Sequence, residues 1–283
     1  MSRYYLIINV FILLLLNGFV SCNAKSTDLK TEKPPIPTLV LVSDTVHVQK
    51  VTPALKLNPF YKKYLTADGI PIISSAAVPD EALLQARKII LQMLAKIPDA
   101  KNKIIANKVK IAVMGFKELT TDIPEHSDLN KVFPETNWDT RARGLSATAA
   151  RPVTSCAEEN LLAYACDRYY GEDILIHEFA HTIHVMGLNF MNINFDAKLM
   201  SIYKSARDKG LWGGTYAISS YTEYFAEGVQ CWFNVNTEAI PSNGIHNEIN
   251  TREELKTYDP DLFRLISLYF YDDPQKISLQ PGK

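Results

Sequence analysis

The stretch Ile174-Leu-Ile-His177-Glu178-Phe-Ala-His181-Thr-Ile-His184 threads four ionisable side chains through a run of apolar residues. Residues four apart on a helix lie one turn above each other on the same face, so His177 and His181 can present two imidazole nitrogens to one cation. Glu178, one position round, leans over the same point. An H-E-x-x-H pattern of this kind holds zinc on its histidines, and its glutamate takes a proton from an attacking water. Ile174, Leu175, Ile176, Phe179, Ala180, Ile183, Val185 and Met186 make the remaining surface apolar, which predicts a helix buried nearly all round. A polar stripe in such a helix is costly unless something satisfies it. The bland alternative to a metal is a set of core histidines bonded to carboxylates.

Two histidines leave a catalytic zinc short of a ligand, because such sites use three protein ligands and keep one position open. His184, Glu223 and Glu227 are the candidates. His184 shares the face of His177 but lies roughly 10 Å further along the axis, which reads as a cleft-wall residue or a support for a ligand. Gly187 stands where the longer H-E-x-x-H-x-x-G-x-x-H pattern needs its last histidine. Glu223 and Glu227 lie four apart in Ser220-Tyr-Thr-Glu223-Tyr-Phe-Ala-Glu227-Gly-Val-Gln-Cys-Trp-Phe233. One of them can bind zinc while the other accepts the outer N–H of a ligating histidine. Ser220-x-x-Glu223 also fits a capping box, and paired glutamates often mark a solvated face. Tyr224, Phe225, Val229, Trp232 and Phe233 leave little room for an exposed helix, which argues against that second reading.

Taken jointly, His177-Glu178-x-x-His181, then Tyr216, six residues, Glu223 and Glu227 within E-Y-F-A-E resemble the catalytic core of the anthrax lethal factor and proline-proline endopeptidase type of metallopeptidase. The resemblance runs from roughly Gly171 to Gln230. It implies a zincin-like zinc peptidase with ligands His177, His181 and Glu223 and general base Glu178. It also implies Tyr216 as a transition-state donor and Glu227 as a support for the ligands. His184 departs from the pattern.

These residues need elements to position them. The expected fold is α+β: one catalytic domain over residues 55–283, with a mixed sheet from strands near 109 and 144 over the active helix. A helical C-terminal half closes a cleft against it. Glu81 to Lys96 carries Leu83, Leu84, Ile89, Ile90, Met93 and Leu94 at helical spacing, and Pro98 ends the run. Val109-Lys-Ile-Ala-Val-Met114 reads as a buried strand, and Gly144 to Ala150 as an edge strand beside the site. Arg141, Arg143 and Arg151 flank it; they could hold a substrate carboxylate, although salt bridges to local aspartates such as Asp139 are the plainer expectation. Asp196 to Lys209 reads as an amphipathic helix closed by Gly210, and Trp212-Gly213-Gly214 as a turn delivering Tyr216 to the cleft. Thr251-x-x-Glu254 and Asp259-Pro260 read as starts of C-terminal helices, and His246 as a loop residue.

Residues 1–21 read as a signal peptide, with Arg3 ahead of an apolar run Leu6–Leu16 too short to span a membrane comfortably. Phe19-Val20-Ser21-Cys22 resembles a bacterial lipobox, so Cys22 is the expected lipidation site, in place of an ordinary cleavage near Ala24. The chain is then an exported, membrane-anchored lipoprotein of the bacterial cell envelope. Residues 22–54 read as a tether stiffened by Pro34-Pro35-Ile36-Pro37. Export permits a disulfide, and Cys156 with Cys166 closes a short loop before the active helix, leaving Cys231 as a buried thiol. Lysine plus arginine (30) balance aspartate plus glutamate (31) without a basic cluster, which argues against a nucleic-acid partner. The expected function is zinc-dependent endopeptidase action on a peptide or protein substrate. A metal-dependent hydrolase of glycan or peptidoglycan, or a metal-binding lipoprotein without turnover, are the alternatives. Oligomeric state is open.

Overall fold

Five strands join edge to edge in chain order: β1 (Gln49–Lys50), β2 (Lys63–Ala67), β3 (Ile70–Ser74), β4 (Lys110–Met114) and β5 (Val153–Ala157). The first three run antiparallel, and β3, β4 and β5 run parallel, so the sheet is mixed. The computed structural model describes residues 46–191, 194–272 and 277–280. The expected signal segment, Cys22 and the tether as far as residue 45 lie outside the described residues.

Alternation decides what each strand faces. Ile111 and Val113 of β4 point into the main core, while Ala112 and Met114 join a smaller cluster with Tyr61, Ile73, Ile123, Val153 and Ala157. In β5 the same rule sends Cys156 towards the main core and Val153 and Ala157 to the opposite side. The β2–β3 hairpin closes on Asp68-Gly69 with both φ values positive, at 48° and 95°, the backbone that an Asp-Gly pair adopts most readily.

The helices that cover the main face are α1 (Asp80–Leu94), α2 (Pro98–Ala106) and α3 (Ile174–Thr182). Pro98 ends the first run and also opens α2, where its missing N–H is not needed. Beyond α3 the chain continues as one π-helical turn, Ile183–Leu188, and then α4 (Phe195–Asp208). Gly210 follows with φ +74°, closing α4 as its sequence predicts. The C-terminal half is helical: α5 (Tyr221–Trp232), α6 (Arg252–Tyr258) and α7 (Pro260–Ser267). Thr251 and Glu254 form a reciprocal capping box at α6, and the Asp259 carboxylate caps α7 by accepting from the Leu262 N–H at 3.1 Å. Gly228 lets α5 and α7 approach closely, since a Cβ there would stand 2.6 Å from Leu262 Cδ2.

The last described segment folds back on the front of α3. The Gln85 side chain donates to Ile277 O at 2.8 Å, and Gln280 Oε1 accepts from Gly171 N at 3.1 Å. The Gln280 amide nitrogen donates to Asn160 O, and Asn160 Oδ1 in turn accepts from Ile174 N at 2.8 Å.

Two expectations need correction. The strand beside the site is β5, residues 153–157, rather than 144–150. The earlier segment contributes a single antiparallel bridge, Leu145 to Ser155, because Ala147 N then donates to the Thr182 hydroxyl and Thr148 pairs with Arg151 in a turn. Cys156 and Cys166 are free thiols: Cys156 is buried on the core side of β5, while Cys166 is exposed in the following loop. Cys231 is also free and buried, as expected. Within the stretch read as tether, Gln49–Lys50 pairs with β2 as the outer strand.

Candidate metal centre

The site helix is set at its start by Asp173, which is fully buried and accepts from the Ile176 N–H at 2.9 Å. Burial pushes its carboxyl up to about 6. All residues of α3 are buried except Glu178, whose side chain opens into the cleft. On α5, the Ser220 hydroxyl accepts from the Glu223 N–H at 3.1 Å. Ser220 therefore caps the helix as its sequence suggests, while the Glu223 carboxylate turns away towards the histidines of α3.

Three ligand atoms converge there. His177 Nε2 and His181 Nε2 are each 3.1 Å from Glu223 Oε2 and 3.2 Å from one another. Tetrahedral zinc with bonds near 2.0–2.1 Å sets its ligand atoms about 3.3–3.4 Å apart, so this triangle is close to the required size. The donor set fits as well: two imidazoles and one carboxylate aim lone pairs at a common point, and a cation satisfies them together. His177, His181 and Glu223 could therefore hold a metal ion.

Electrostatics around the triangle point the same way. Burial alone would push the Glu223 carboxyl up, but the hydrogen bonds from His177 and His181 outweigh it and hold the group well below the ordinary range. Burial likewise works against a charged His177, and is outweighed by Glu223 and by the neighbouring Glu178 and Glu227, so positive charge is favoured at this spot. Burial raises Glu178 above the usual carboxylate range despite both histidines.

The outer nitrogen of His177 is held by a residue that sequence reasoning missed. Gln230 Oε1 lies 2.8 Å from His177 Nδ1, whereas Glu227 Oε1, expected there, is 3.6 Å away. Glu223, Glu227 and Gln230 follow one another at i, i+4 and i+7, so all three share the α5 face that meets α3. Gln230, a fully buried polar residue in an apolar run, was the signal available. Glu227 is instead anchored by Asn236 Nδ2 at 2.9 Å, and burial raises its carboxyl.

His184 does not reach the cleft. Its Nε2 faces Asp196 Oδ1 at 2.6 Å, and its ring sits edge-on to Phe195, Tyr221 and Phe225. The π-helical turn beginning at Ile183 widens the helix, which takes His184 off the line of His177 and His181. Thr182 was also missed: its hydroxyl accepts from Ala147 N at 3.0 Å and lies 2.7 Å from Thr154 Oγ1, tying α3 to the cleft edge and to β5.

Tyr216 begins a short 3-10 turn, Tyr216–Ser219, and its backbone N–H donates to Ile245 O at 2.8 Å. Its ring lies over His177 with centroids 6.5 Å apart, and burial followed by the Glu223 carboxylate pushes the phenol up to about 12. The cleft has two lobes, of about 450 and 520 Å³, that meet at Trp138, Arg141, Leu145, His177, Glu178 and Tyr216. Leu145 to Thr148 line the first lobe, and Gly144 lets this edge approach α3. Of the flanking arginines, Arg143 pairs with Glu159 at 2.6 Å and Arg151 with Asp128 at 2.9 Å, the structural role expected for them. Asp139 is used by Thr121 N at 2.9 Å rather than by an arginine. His246, a buried loop residue, meets Glu172 Oε1 at 3.0 Å.

No family model matches the chain, and no curated protein matches it. Among solved structures it is similar to the PRO-PRO endopeptidase PPEP-2 from Paenibacillus alvei, at 19% identity and a TM-score of 0.40, covering 72% of this chain and 98% of that one.

Proposed function

We propose that this chain is a zinc-dependent endopeptidase. The observation that carries the reading is the triangle of His177 Nε2, His181 Nε2 and Glu223 Oε2, with edges of 3.1–3.2 Å, opening on the same cleft as Glu178 and Tyr216. Zinc held by those three residues would supply Lewis-acid polarisation of a peptide carbonyl and a more acidic water.

The chain's own groups supply the rest. Glu178 takes the proton of the attacking water at its carboxylate and returns it to the departing amine. Burial raises its pKa above the ordinary carboxylate range, which favours its holding that proton. Tyr216 keeps its proton at neutral pH, because its phenol is pushed up to about 12, and so donates to the oxygen on which negative charge develops. Gln230 fixes the tautomer of His177 by accepting its Nδ1–H, which aims Nε2 at the metal position. Cys22 is proposed as the lipid-bearing residue of an envelope-anchored chain; labelled fatty acid should enter the parent and not Cys22→Ala.

Cleavage of a peptide library by the zinc-loaded protein, abolished by chelator and restored by zinc, is the expected result. Glu178→Gln should keep its zinc while kcat falls by about 10²–10⁴-fold, the usual contribution of a positioned general base. A zinc-loaded Glu178→Gln that cleaves as fast as the parent overturns the mechanism. Hydrolysis of glycans alone, or bound metal with no hydrolysis, overturns the peptidase reading.

A further inference from the structure

Four of the described arginines are matched to carboxylates: Arg143 to Glu159, Arg151 to Asp128, Arg252 to Asp272 and Arg264 to Asp261. Three arginines line the second lobe of the cleft; Arg143 is one of the matched ones, and the other two are not matched. Arg141 and Arg168 both face that cavity of about 520 Å³, and among the described residues neither forms a salt bridge. Their positions are nevertheless built. Arg168 Nη1 donates to Thr140 O at 2.5 Å and its guanidinium lies 4.8 Å from the Tyr169 ring centre. The Tyr169 hydroxyl donates to Arg141 O at 3.0 Å, which stitches the turn carrying Arg141 to the loop carrying Arg168.

The carboxylates of this lobe are already engaged. Glu172 meets His246 at 3.0 Å, and Glu227 is held by Asn236 at 2.9 Å. Glu178 belongs to the chemistry. Two guanidinium groups are therefore left without a counter-charge beside the reacting centre, and a planar fork of N–H donors suits a carboxylate. Away from Arg141, which stands where the two lobes meet, the first lobe differs in kind: Leu129, Phe133, Ala147 and Val185 line it, and Arg151 there is used by Asp128.

We propose that Arg141 and Arg168 form a carboxylate subsite in the second lobe, so that the preferred substrate carries a carboxylate on one side of the scissile bond and an apolar residue on the other. The proposal rests on the peptidase reading for its substrate, though not for the subsite itself. The carboxylate can come from an aspartate or glutamate side chain or from the substrate's own C-terminus.

The test uses the full zinc-loaded chain and peptide pairs that differ only by Glu against Gln at each position flanking the cleaved bond, or by free acid against amide at the C-terminus. Arg141→Gln and Arg168→Gln are tested beside the parent, each checked for an unchanged melting profile. The carboxylate member should win in kcat/KM by about 10- to 100-fold, the scale of a charge-assisted hydrogen-bond pair. Both substitutions should pull that ratio towards one, and Arg141→Glu should favour Lys at the same position. A preference at Glu against Gln identifies a side-chain carboxylate, and a preference lost on amidation identifies the terminus. Ratios near one in the parent, or ratios that ignore both arginine variants, overturn the subsite. If nothing is cleaved, the peptidase reading falls separately, and the subsite is judged by fluorescence polarisation of dye-labelled Glu and Gln peptides. Equal binding of the two by the parent then overturns it as well.

Discussion

Gly144 stands where the edge of the cleft crosses the active helix, and adding one methyl group there should disturb both. An alanine Cβ would lie 2.5 Å from Ile174 Cγ2, 3.0 Å from Ser155 O and 3.3 Å from Glu178 Cγ. Carbon atoms in contact sit about 3.5–4.0 Å apart, so the overlap with Ile174 is about 1 Å. Ile174 is buried at the first turn of α3, and Ser155 O is backbone, which leaves little slack in either direction. The 144–148 edge must move out, loosening the bridge in which Ser155 N donates to Leu145 O at 2.8 Å and Leu145 N to Ser155 O at 3.3 Å. Overpacking of this kind costs about 1–3 kcal/mol. At roughly 2–4 °C per kcal/mol for a chain of this size, Gly144→Ala should melt several degrees lower. Ile174→Ala removes the clashing methyl, so the double variant should be less destabilised than the sum of the singles, by about 1 kcal/mol or more in a double-mutant cycle. Turnover should fall by up to about 10²-fold as Glu178 is displaced, with zinc retained, because small misplacements of a catalytic group are expensive. A Gly144→Ala protein that melts with the parent and couples to Ile174→Ala by nothing measurable would refute this account of how the edge seats on the helix.

Gln230→Leu removes the acceptor at 2.8 Å from His177 Nδ1, and zinc affinity measured by chelator competition should weaken about 10- to 100-fold. The smaller loss is expected if Glu227 closes its 3.6 Å gap, and the combination with Glu227→Gln should then exceed it; no loss in either variant removes the supporting role. Glu223→Ala should come out of purification without zinc, whereas His184→Ala should keep zinc and lose stability by about 2 kcal/mol or more from its buried site; elemental analysis and melting read the two apart. His126 is buried, with Nε2 3.0 Å from Ser155 Oγ, and burial lowers its pKa to about 4. A group depressed on folding binds its proton more readily in the unfolded chain, so stability rises with pH between about 4 and 6.5 and is lost as acid is added through that window. The slope is at most about 1.4 kcal/mol per pH unit, and His126→Gln should remove it from the parent's pH–melting profile; identical profiles would exclude the contribution.

The convergence of His177, His181 and Glu223 was readable because its parts are spaced by helix geometry: His177 and His181, and Glu223 with Glu227, repeat at four. What the spacing left open was which residue braces His177. Gln230 wins over Glu227 because it lies one further turn along the same face, a difference of distance that composition and charge do not carry. His184 misled for a related reason, since one π-helical turn changes the direction of every later side chain and leaves no residue-type signature. The long helices and their caps were also legible, from Asp259 and Thr251 to Gly210. The sheet was less so. Lys63–Ala67 and Ile70–Ser74 are short and partly exposed, and Asp68-Gly69 between them carried the hairpin signal unread. The cleft edge at Gly144 pairs through one bridge only, and whether such a segment is a strand is decided by a partner from elsewhere in the chain.

The backward fold of the last described segment has a consequence for the order in which this protein can become itself. The front of the active helix leans on Asn160, Gly171 and, through them, Gln280, while Gln85 reaches forward to Ile277. Contacts that span more than a hundred positions in sequence form late, because the intervening chain has to be gathered first. During synthesis the histidines at 177 and 181 emerge well before the glutamate at 223, and that glutamate well before Gln280, whose amide ties Asn160 to Gly171. A nascent chain thus carries every chemical part of the centre for some time without the frame that aligns them. Assembly itself therefore delays the alignment of the centre until the last of these contacts has formed.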